Sequence, residues 1–354
     1  MLGGGPTHAG VAQPPYPQSV GATLTVKWAT PLGTSVDSSP AVAGGRGYVG
    51  TAEGDLCALR ADTGELLWRF PTGSTVISSP AVAGDRVVFG AVDHYVYCVS
   101  LEGQLLWKYR TWGPVVGSPT VAAGLAYCGS MDGTLTAFDL ATGAVRWQQQ
   151  EPGGVTCAPA VDAGLIVYGD RAGDVLCRKA DTGALVWRVA TPNPVLAAPV
   201  ITDGVVLVGS RSATALKPPK VEYLVAYDLA TGLKKWALEG DVSVFTTPAV
   251  AGGVVYFGYV AGYLSETQIR AVRLTDGELI WKQGLPPIAA SAPVVAGDRL
   301  LLGMGDGAVY ALRLSTGDVL SRLPLAPRIY SSAAVTDGHL YIGANDGKLY
   351  CLGG

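Results

Sequence analysis

The chain has 354 residues, of which 49% are hydrophobic and 15% are charged, and its formal net charge is −3. This composition is typical of a globular protein with an ample core, and the weak negative charge without a basic stripe argues against nucleic acid and anionic membrane surfaces as partners. No run reaches the roughly 18 consecutive apolar residues that a membrane-spanning helix requires.

The chain begins with a segment, residues 1–22, that is rich in Gly and Pro and lacks the basic-then-apolar order of a signal peptide. We expect this segment to be a flexible lead. We expect residues 23–354 to form a single domain, because one repeated pattern runs through them without interruption.

Eight near-copies of a unit of about forty residues follow one another along the chain. Aligned on the sequence Ser-Ser-Pro-Ala-Val, the units start at Ser38, Ser78, Gly117, Cys157, Ala197, Thr246, Ser291 and Ser331. A fixed period of this length indicates a solenoid or a propeller, because one such unit cannot bury its own apolar face.

Each unit predicts four short β-strands. In the second unit these strands are residues 79–83, 87–90, 95–99 and 104–108, which are rich in β-branched and aromatic residues and are separated by turns containing Gly and Asp. No useful length of the chain shows the 3.6-residue period of a helix. Four strands in a unit of this size are typical of a propeller blade.

The two ends of the repeat region complement each other. The eighth unit stops after Tyr350-Cys351-Leu352 without a fourth strand, whereas residues 24–28 form a fourth strand that no unit precedes. Pairing these two strands removes the sheet edges that an open ring would expose. The sequence therefore predicts an all-β, eight-bladed propeller of four-stranded antiparallel blades, closed by the N-terminal strand in the last blade.

The third and fourth strands carry the most specific pattern. Residues 137–147 and 226–236 both fit Ala-x-Asp-x-x-Thr-Gly-x-x-x-Trp, and other units fit it partially. Over roughly residues 24–352 the chain resembles the pyrroloquinoline-quinone-like (PQQ-like) propeller repeat family. That family includes quinoprotein dehydrogenases, the outer-membrane assembly lipoprotein BamB, and ligand-sensing domains of bacterial receptor kinases. In size and blade number the chain is most similar to BamB.

Seven tryptophans occupy one position on the fourth strand, and we expect them to be structural. They are Trp28, Trp68, Trp107, Trp147, Trp187, Trp236 and Trp281. Each is expected to cover the adjacent blade with its indole N–H near a backbone acceptor. Ser321 stands where the seventh blade would carry its tryptophan. The remaining tryptophan, Trp112, falls outside this ladder in a connecting loop.

The cysteines fall at positions where the repeat carries small residues, so we expect buried free thiols. They are Cys57, Cys98, Cys128, Cys157, Cys177 and Cys351. No Cys-x-x-Cys motif or Cys/His cluster occurs, and the three histidines lie at unrelated repeat positions, so no metal site is expected. Free thiols favour a reducing compartment, whereas the family resemblance implies a periplasmic or cell-surface location.

The weakest of three functional interpretations is a PQQ-dependent dehydrogenase. No Cys-Cys pair occurs, and the residues expected at the axial mouth are Asp37, Ile77, Val116, Thr156, Leu196, Phe245, Ala290 and Tyr330. One carboxylate among mostly apolar groups is poorly suited to calcium, and a tricarboxylate quinone would need clustered Arg or Lys. We therefore expect no cofactor and no catalytic residues.

Two insertions interrupt the repeat, and we expect the functional surface there. Residues 210–223 lengthen the connection between the second and third strands of the fifth blade, and residues 258–268 do so in the sixth. Both are expected on the face that carries the blade-to-blade connections. The candidate binding residues on this face are Arg110, Trp112, Arg171, Lys217, Tyr259, Tyr263, Arg328 and Tyr330. The alternative is that both insertions are ordinary loop expansions without function.

Because packing explains the regular blades, the favoured function is a non-catalytic, monomeric scaffold that binds a protein partner, as the resemblance to BamB implies. The alternative is a small-molecule or quinone-sensing domain of a larger bacterial receptor or kinase. The arginines of the candidate face keep this alternative open.

Overall fold

The computed structural model of the protein describes residues 24–210, 221–240, 242–244, 246–261, 266–286 and 291–354. Within these ranges every regular element is a β-strand, and the strands form eight antiparallel sheets. The prediction of an eight-bladed propeller is therefore confirmed. The expected lead, residues 1–22, lies outside the described residues.

The blades are numbered by repeat unit, and their strands have the following bounds. Blades one and two contain β2 (Ala41–Ala43), β3 (Arg46–Gly50), β4 (Asp55–Arg60), β5 (Leu66–Pro71), β6 (Ala81–Ala83), β7 (Arg86–Gly90), β8 (Tyr95–Ser100) and β9 (Leu105–Arg110). Blades three and four contain β10 (Thr120–Ala122), β11 (Leu125–Gly129), β12 (Thr134–Asp139), β13 (Val145–Gln150), β14 (Ala160–Asp162), β15 (Leu165–Gly169), β16 (Asp174–Lys179) and β17 (Leu185–Ala190).

The second half of the ring follows the same order. Blades five and six contain β18 (Val200–Thr202), β19 (Val205–Gly209), β20 (Val221–Asp228), β21 (Lys234–Gly240), β22 (Val242–Ser243), β23 (Ala249–Ala251), β24 (Val254–Ala261), β25 (Glu266–Arg273) and β26 (Leu279–Leu285). Blades seven and eight contain β27 (Val294–Ala296), β28 (Arg299–Gly303), β29 (Ala308–Arg313), β30 (Val319–Pro324), β31 (Ala334–Thr336), β32 (His339–Gly343), β33 (Lys348–Gly353) and β1 (Thr25–Pro31).

The two middle strands of each blade form its core. In blade two, β7 and β8 are buried almost throughout, whereas β9 alternates between exposed and buried residues. The middle strands are covered on both faces by neighbouring blades, so they take continuous apolar runs, and the outer strand meets solvent and alternates. Hydrogen bonds near the axis join neighbouring inner segments, for example from Ser39 N to Ser79 Oγ at 3.1 Å.

The ring closes in blade eight. Strand β1 pairs antiparallel with β33, from Thr25 opposite Gly353 to Pro31 opposite Lys348. Blade eight is also joined to blade one, since Ser332 N donates to Ser39 Oγ at 2.9 Å. The N-terminal strand therefore closes the propeller as the sequence predicts.

All seven ladder tryptophans make the same contact with the next blade. The indole N–H groups of Trp28, Trp68, Trp107, Trp147, Trp187, Trp236 and Trp281 donate to the carbonyls of Ala61, Leu101, Leu140, Ala180, Leu229, Leu274 and Leu314 at 2.8–3.1 Å. Each ring lies against the glycine of the neighbouring Thr-Gly-type turn. A Cβ on Gly183, whose φ is 71°, would lie 2.8 Å from Trp147 Cδ2, so this turn needs glycine both for its backbone and for the ring.

The exception at Ser321 has a topological reason. Ser321 pairs with Ala311 in blade seven, as Trp147 pairs with Ala137 in blade three. A tryptophan here would have to dock on the turn between the third and fourth strands of blade eight. These two strands, β33 and β1, are far apart in sequence and no turn joins them. The seventh blade thus faces a neighbour that lacks the docking site. That blade seven is the least stable blade stays a prediction.

We expect Trp147→Ala to destabilise the protein by about 3–5 kcal/mol, because it removes a buried large aromatic ring and a hydrogen bond to the next blade. Denaturant unfolding followed by circular dichroism measures the change. Trp112→Ala is the matched control, because it truncates an indole that is 89% exposed, and it should leave the midpoint unchanged. Equal midpoints for Trp147→Ala and the wild type would contradict a structural ladder.

Restoring the missing ladder residue tests the topological explanation. Ser321→Trp should not raise the melting temperature, because blade eight offers no turn for the ring. Trp281→Ser, which removes the last ladder contact, should lower the melting temperature. A clear rise on Ser321→Trp would show that blade eight does provide a docking site.

Candidate functional site

The candidate residues are distributed over one face of the ring. We call this the connection face; it carries the blade-to-blade connections and the turns between second and third strands. Its described candidates are Arg110 at the end of β9, Trp112 in the next connection, Arg171 in the turn after β15, Tyr259 in β24, and Arg328 and Tyr330 before β31. Lys217 and Tyr263 lie outside the described residues.

Among the described residues, Trp112 is the most exposed large hydrophobic side chain on this face, at 89%. Its backbone is nevertheless held firmly: the amides of Trp112 and Gly113 donate to Asp132 Oδ2 at 2.8 and 3.1 Å, and Thr111 Oγ1 donates to Gly113 O at 2.7 Å. Burial raises the pKa of Asp132, but hydrogen bonds from Thr134, Trp112 and Ser130 outweigh it and hold this pKa below its usual value. The Asp132 side chain therefore stays ionised and holds the backbone of Trp112 and Gly113 in place. The Trp112 ring is exposed to solvent on this ordered backbone.

A second exposed apolar side chain adjoins Trp112 and was not identified from the sequence. Met131 is 43% exposed, and its amide donates to Pro114 O at 3.0 Å in the connection that carries Trp112. Gly154, in the connection between blades three and four, lies between Met131 and Arg171. A Cβ on Gly154 would lie 3.2 Å from Met131 Cα and 3.4 Å from Arg171 Cδ. Trp112, Met131 and Arg171 lie on neighbouring connections and turns of blades three and four, and we call these three residues the Trp112 strip.

The insertion in blade six is a strand extension, not the loop expected from the sequence. The pairing of β24 with β25 continues through Tyr259 opposite Gln268 and Ala261 opposite Glu266, and β22 pairs with the end of β24. In blade five, Val221 and Glu222 likewise extend β20 along β21. Within the two insertions, residues 211–220 and 262–265 lie outside the described residues.

The two strand extensions are fastened to each other by Arg270. Its guanidinium carbon lies 4.1 Å from the centre of the Tyr259 ring, its Nη1 donates to the Tyr223 hydroxyl at 3.1 Å, and two further nitrogens donate to Gln268 Oε1. The Tyr223 and Tyr259 rings meet edge to face, with centroids 5.5 Å apart. Tyr259, expected as a partner-binding residue, is therefore engaged in joining blades five and six.

The axis of the propeller holds a cavity of about 280 Å³. Its described lining residues are Val116, Ser118, Thr156, Cys157, Ala158, Leu196, Ala197, Ala198, Thr246, Thr247, Ser291, Ala292, Tyr330 and Ser332. None of these side chains carries a charge at neutral pH, and Arg328 Nη1 donates to the Tyr330 hydroxyl at 3.5 Å. Asp37 is exposed and accepts a hydrogen bond from Ser35 Oγ.

A tricarboxylate quinone with calcium requires clustered cations and six to eight oxygen ligands. The described lining of the axial cavity supplies neither, and no group of three His, Cys, Asp or Glu residues suited to a metal occurs among the described residues. These residues therefore do not fit the cofactor of the quinoprotein dehydrogenases.

All six cysteines are free and buried. Burial raises the pKa of the Cys128 thiol to about 12, so it stays protonated at neutral pH. Cys157 has a more specific role than its small size suggests. Its sulfur lies 3.3 Å from both the amide and the carbonyl of Gly169, as Ser78 Oγ bonds both groups of Gly90 in blade two. The thiol thus replaces the repeat serine as a structural clamp.

A buried polar cluster joins blades three and four. The Tyr168 hydroxyl donates to Glu151 Oε1 at 2.5 Å, and Arg178 donates to Tyr168, to Glu151 and to Gly183 O at 2.6–3.0 Å. Burial, with the neighbouring carboxylate, strongly raises the pKa of Tyr168. Each charged group in this cluster is paired, so none is buried without a partner, and the contacts join the connection after blade three to blade four.

The fold and its repeated tryptophan contacts define a propeller of PQQ-like repeats. The profile of a protein family described as outer membrane protein assembly factor BamB matches residues 20–102, 94–159, 152–270 and 265–353. These matches span most of the chain, and the chain belongs to this family. No curated protein sequence matches it.

Solved structures share the fold at low sequence identity. BamB from Moraxella catarrhalis has a TM-score of 0.77 and 19% identity, and the match covers 94% of this chain and 98% of that one. The computationally designed protein Ika8 has a TM-score of 0.76, 19% identity, and coverage of 91% and 97%. Quinohemoprotein alcohol dehydrogenase ADHIIG from Pseudomonas putida HK5 has a TM-score of 0.76, 16% identity, and coverage of 98% and 79%.

At these identities the likeness extends to the fold alone. The part of the chain that the structure describes contains no helix long and apolar enough to cross a membrane.

Proposed function

We propose that the protein is a non-catalytic scaffold that binds a protein partner through the connection face. The observation that carries this proposal is the presentation of Trp112, which is exposed yet held on a clamped backbone. Tryptophan is one of the residue types enriched in binding hot spots, and a held backbone positions this ring for contact.

The residues around Trp112 support the same function. Met131 and Arg171 belong with tryptophan to the residue types enriched at protein interfaces, and Arg110 precedes the same connection. The buried cluster of Glu151, Tyr168 and Arg178 joins blades three and four, which carry these residues. A rigid contact surface loses little conformational entropy on binding, which favours affinity.

Membership of the BamB family supports a partner in outer-membrane protein assembly and an extracytoplasmic location. Catalysis is not part of the proposal, because the axial residues do not fit the quinone cofactor. Tyr259 is assigned a supporting role, and Arg328 and Tyr330 extend the proposed surface toward the axis.

The proposal is tested with a partner recovered by the wild-type protein and then purified for affinity measurement by calorimetry. Trp112→Ala should weaken binding at least thirtyfold, the loss expected for a hot-spot residue (about 2 kcal/mol). Leu105→Ala, which truncates a 47% exposed side chain on an outer strand, is the control and should leave the affinity unchanged. Unchanged affinity of Trp112→Ala would place the binding surface elsewhere.

A second variant separates the ring from its support. Asp132→Ala keeps Trp112 but removes the carboxylate that accepts its backbone hydrogen bond. Binding should weaken by a smaller factor, because the partner must then order the connection. Equal affinity in Asp132→Ala and the wild type would show that the clamp has no part in recognition.

A further inference from the structure

One blade departs from the others in the side chains that face its preceding neighbour. The side of a blade that meets the preceding blade includes three side chains that lie next to one another across the second, third and fourth strands. In blade five these side chains are Val208, Val225 and Ala237. Each of the other seven blades carries at least one aromatic, Arg, Lys or Gln side chain among these three positions.

Large side chains fill the corresponding space elsewhere in the ring. In blade two, Phe89 and Tyr97 stack at 5.2 Å, and Phe70 from blade one meets both rings edge on. In blade one, whose other residues are small, Arg69 lies across the face, with Nη1 3.5 Å from Cys57 Sγ and 2.8 Å from Leu32 O. The repeat itself therefore shows that an aromatic group or a long side chain belongs in this space.

Between blades four and five this space is a cavity of about 300 Å³. The apolar part of its lining is Val189, Pro192, Val208, Val225, Tyr227 and Leu233. A Val stands in blade four where Phe70 stands in blade one, so all three rings of the first junction are replaced by Val here. An enclosed apolar cavity of about 150 Å³ binds benzene. The cavity here is larger and open at one end, and its volume is sufficient for one or two aromatic rings.

The open end of the cavity is polar. Glu222 and Lys234 line it and form an ion pair with each other at 2.5 Å. Both side chains are partly exposed, at 30% and 50%, so either can turn toward a ligand without leaving a buried charge. A ligand that fits both ends has one or two aromatic rings and a polar substituent directed to solvent.

We propose that the junction of blades four and five is a binding site for a small aromatic molecule of this kind. The molecule takes the place that Phe70, Phe89 and Tyr97 occupy in the preceding half of the ring. This site is separate from the Trp112 strip, and it requires neither the proposed partner nor chemistry at the axis.

Indole is the probe for the test, and its binding is measured by ligand-observed NMR and by the shift in melting temperature of the full chain. The wild type should bind indole saturably, and cyclohexanol should bind at least fivefold more weakly. The double variant Val208→Phe/Val225→Tyr installs the blade-two residues; it should raise the melting temperature and reduce indole binding at least tenfold. Leu105→Ser, an exposed outer-strand change away from the cavity, should leave indole binding unchanged.

Absence of saturable indole binding to the wild type would overturn the proposal. Indole binding that survives in a folded Val208→Phe/Val225→Tyr variant would place the probe elsewhere and also overturn it. If the double variant does not fold, the single variant Val225→Leu, which takes the residue of blade four, replaces it and should weaken binding severalfold. Loss of partner binding in Trp112→Ala is independent of all these results, so the two proposals fail separately.

Discussion

The contact on which the ring depends is a tryptophan of one blade lying on the turn glycine of the next, with its indole N–H bonded to a carbonyl beside that turn. It is made seven times, and each copy fixes both the spacing and the tilt of two sheets. No blade buries its own faces, so this contact and the interleaved apolar side chains make each blade depend on its neighbours. The eighth junction, at Ser321, lacks the turn and relies on side-chain packing and on the strand pairing that closes the ring.

Because these contacts hold the backbone of the blades, the connections on the connection face can differ in length and conformation from blade to blade. Short connections clamped by carboxylates such as Asp93 and Asp132 hold their amides rigidly, so an exposed side chain there is positioned by the fold. The Trp112 strip uses this rigidity directly. In blades five and six the chain instead continues its strands above the ring, and Arg270 joins the two extensions. The two sides of the same face are thus built by different means.

The fold could be predicted from the sequence because the same residue types recur at the same positions of each unit. Each recurring residue has the same structural role in the blades that carry it. The tryptophan ladder and the closure by β1 follow from this directly. The site was less predictable. Trp112 was identifiable because it breaks the pattern, but Met131 stands in an ordinary turn, and its exposure depends on a connection from the neighbouring blade. Tyr259 is of a residue type common in contact surfaces, but the guanidinium group of Arg270, eleven positions later, packs on its ring.

The cluster of Glu151, Tyr168 and Arg178 was invisible for the same reason, since its members are distant in sequence and none is unusual alone. The cluster also distinguishes one junction of the ring from the others. The tryptophan contact is the same at seven junctions and does not distinguish one neighbour from another, but the connection after blade three carries a buried carboxylate, Glu151, that pairs with Arg178 of blade four. Any rearrangement of blade order, by duplication, deletion or exchange between two chains, separates these two charges and leaves each buried without its partner. Blades three and four should consequently be kept adjacent in any propeller built by duplicating or exchanging blades of this chain.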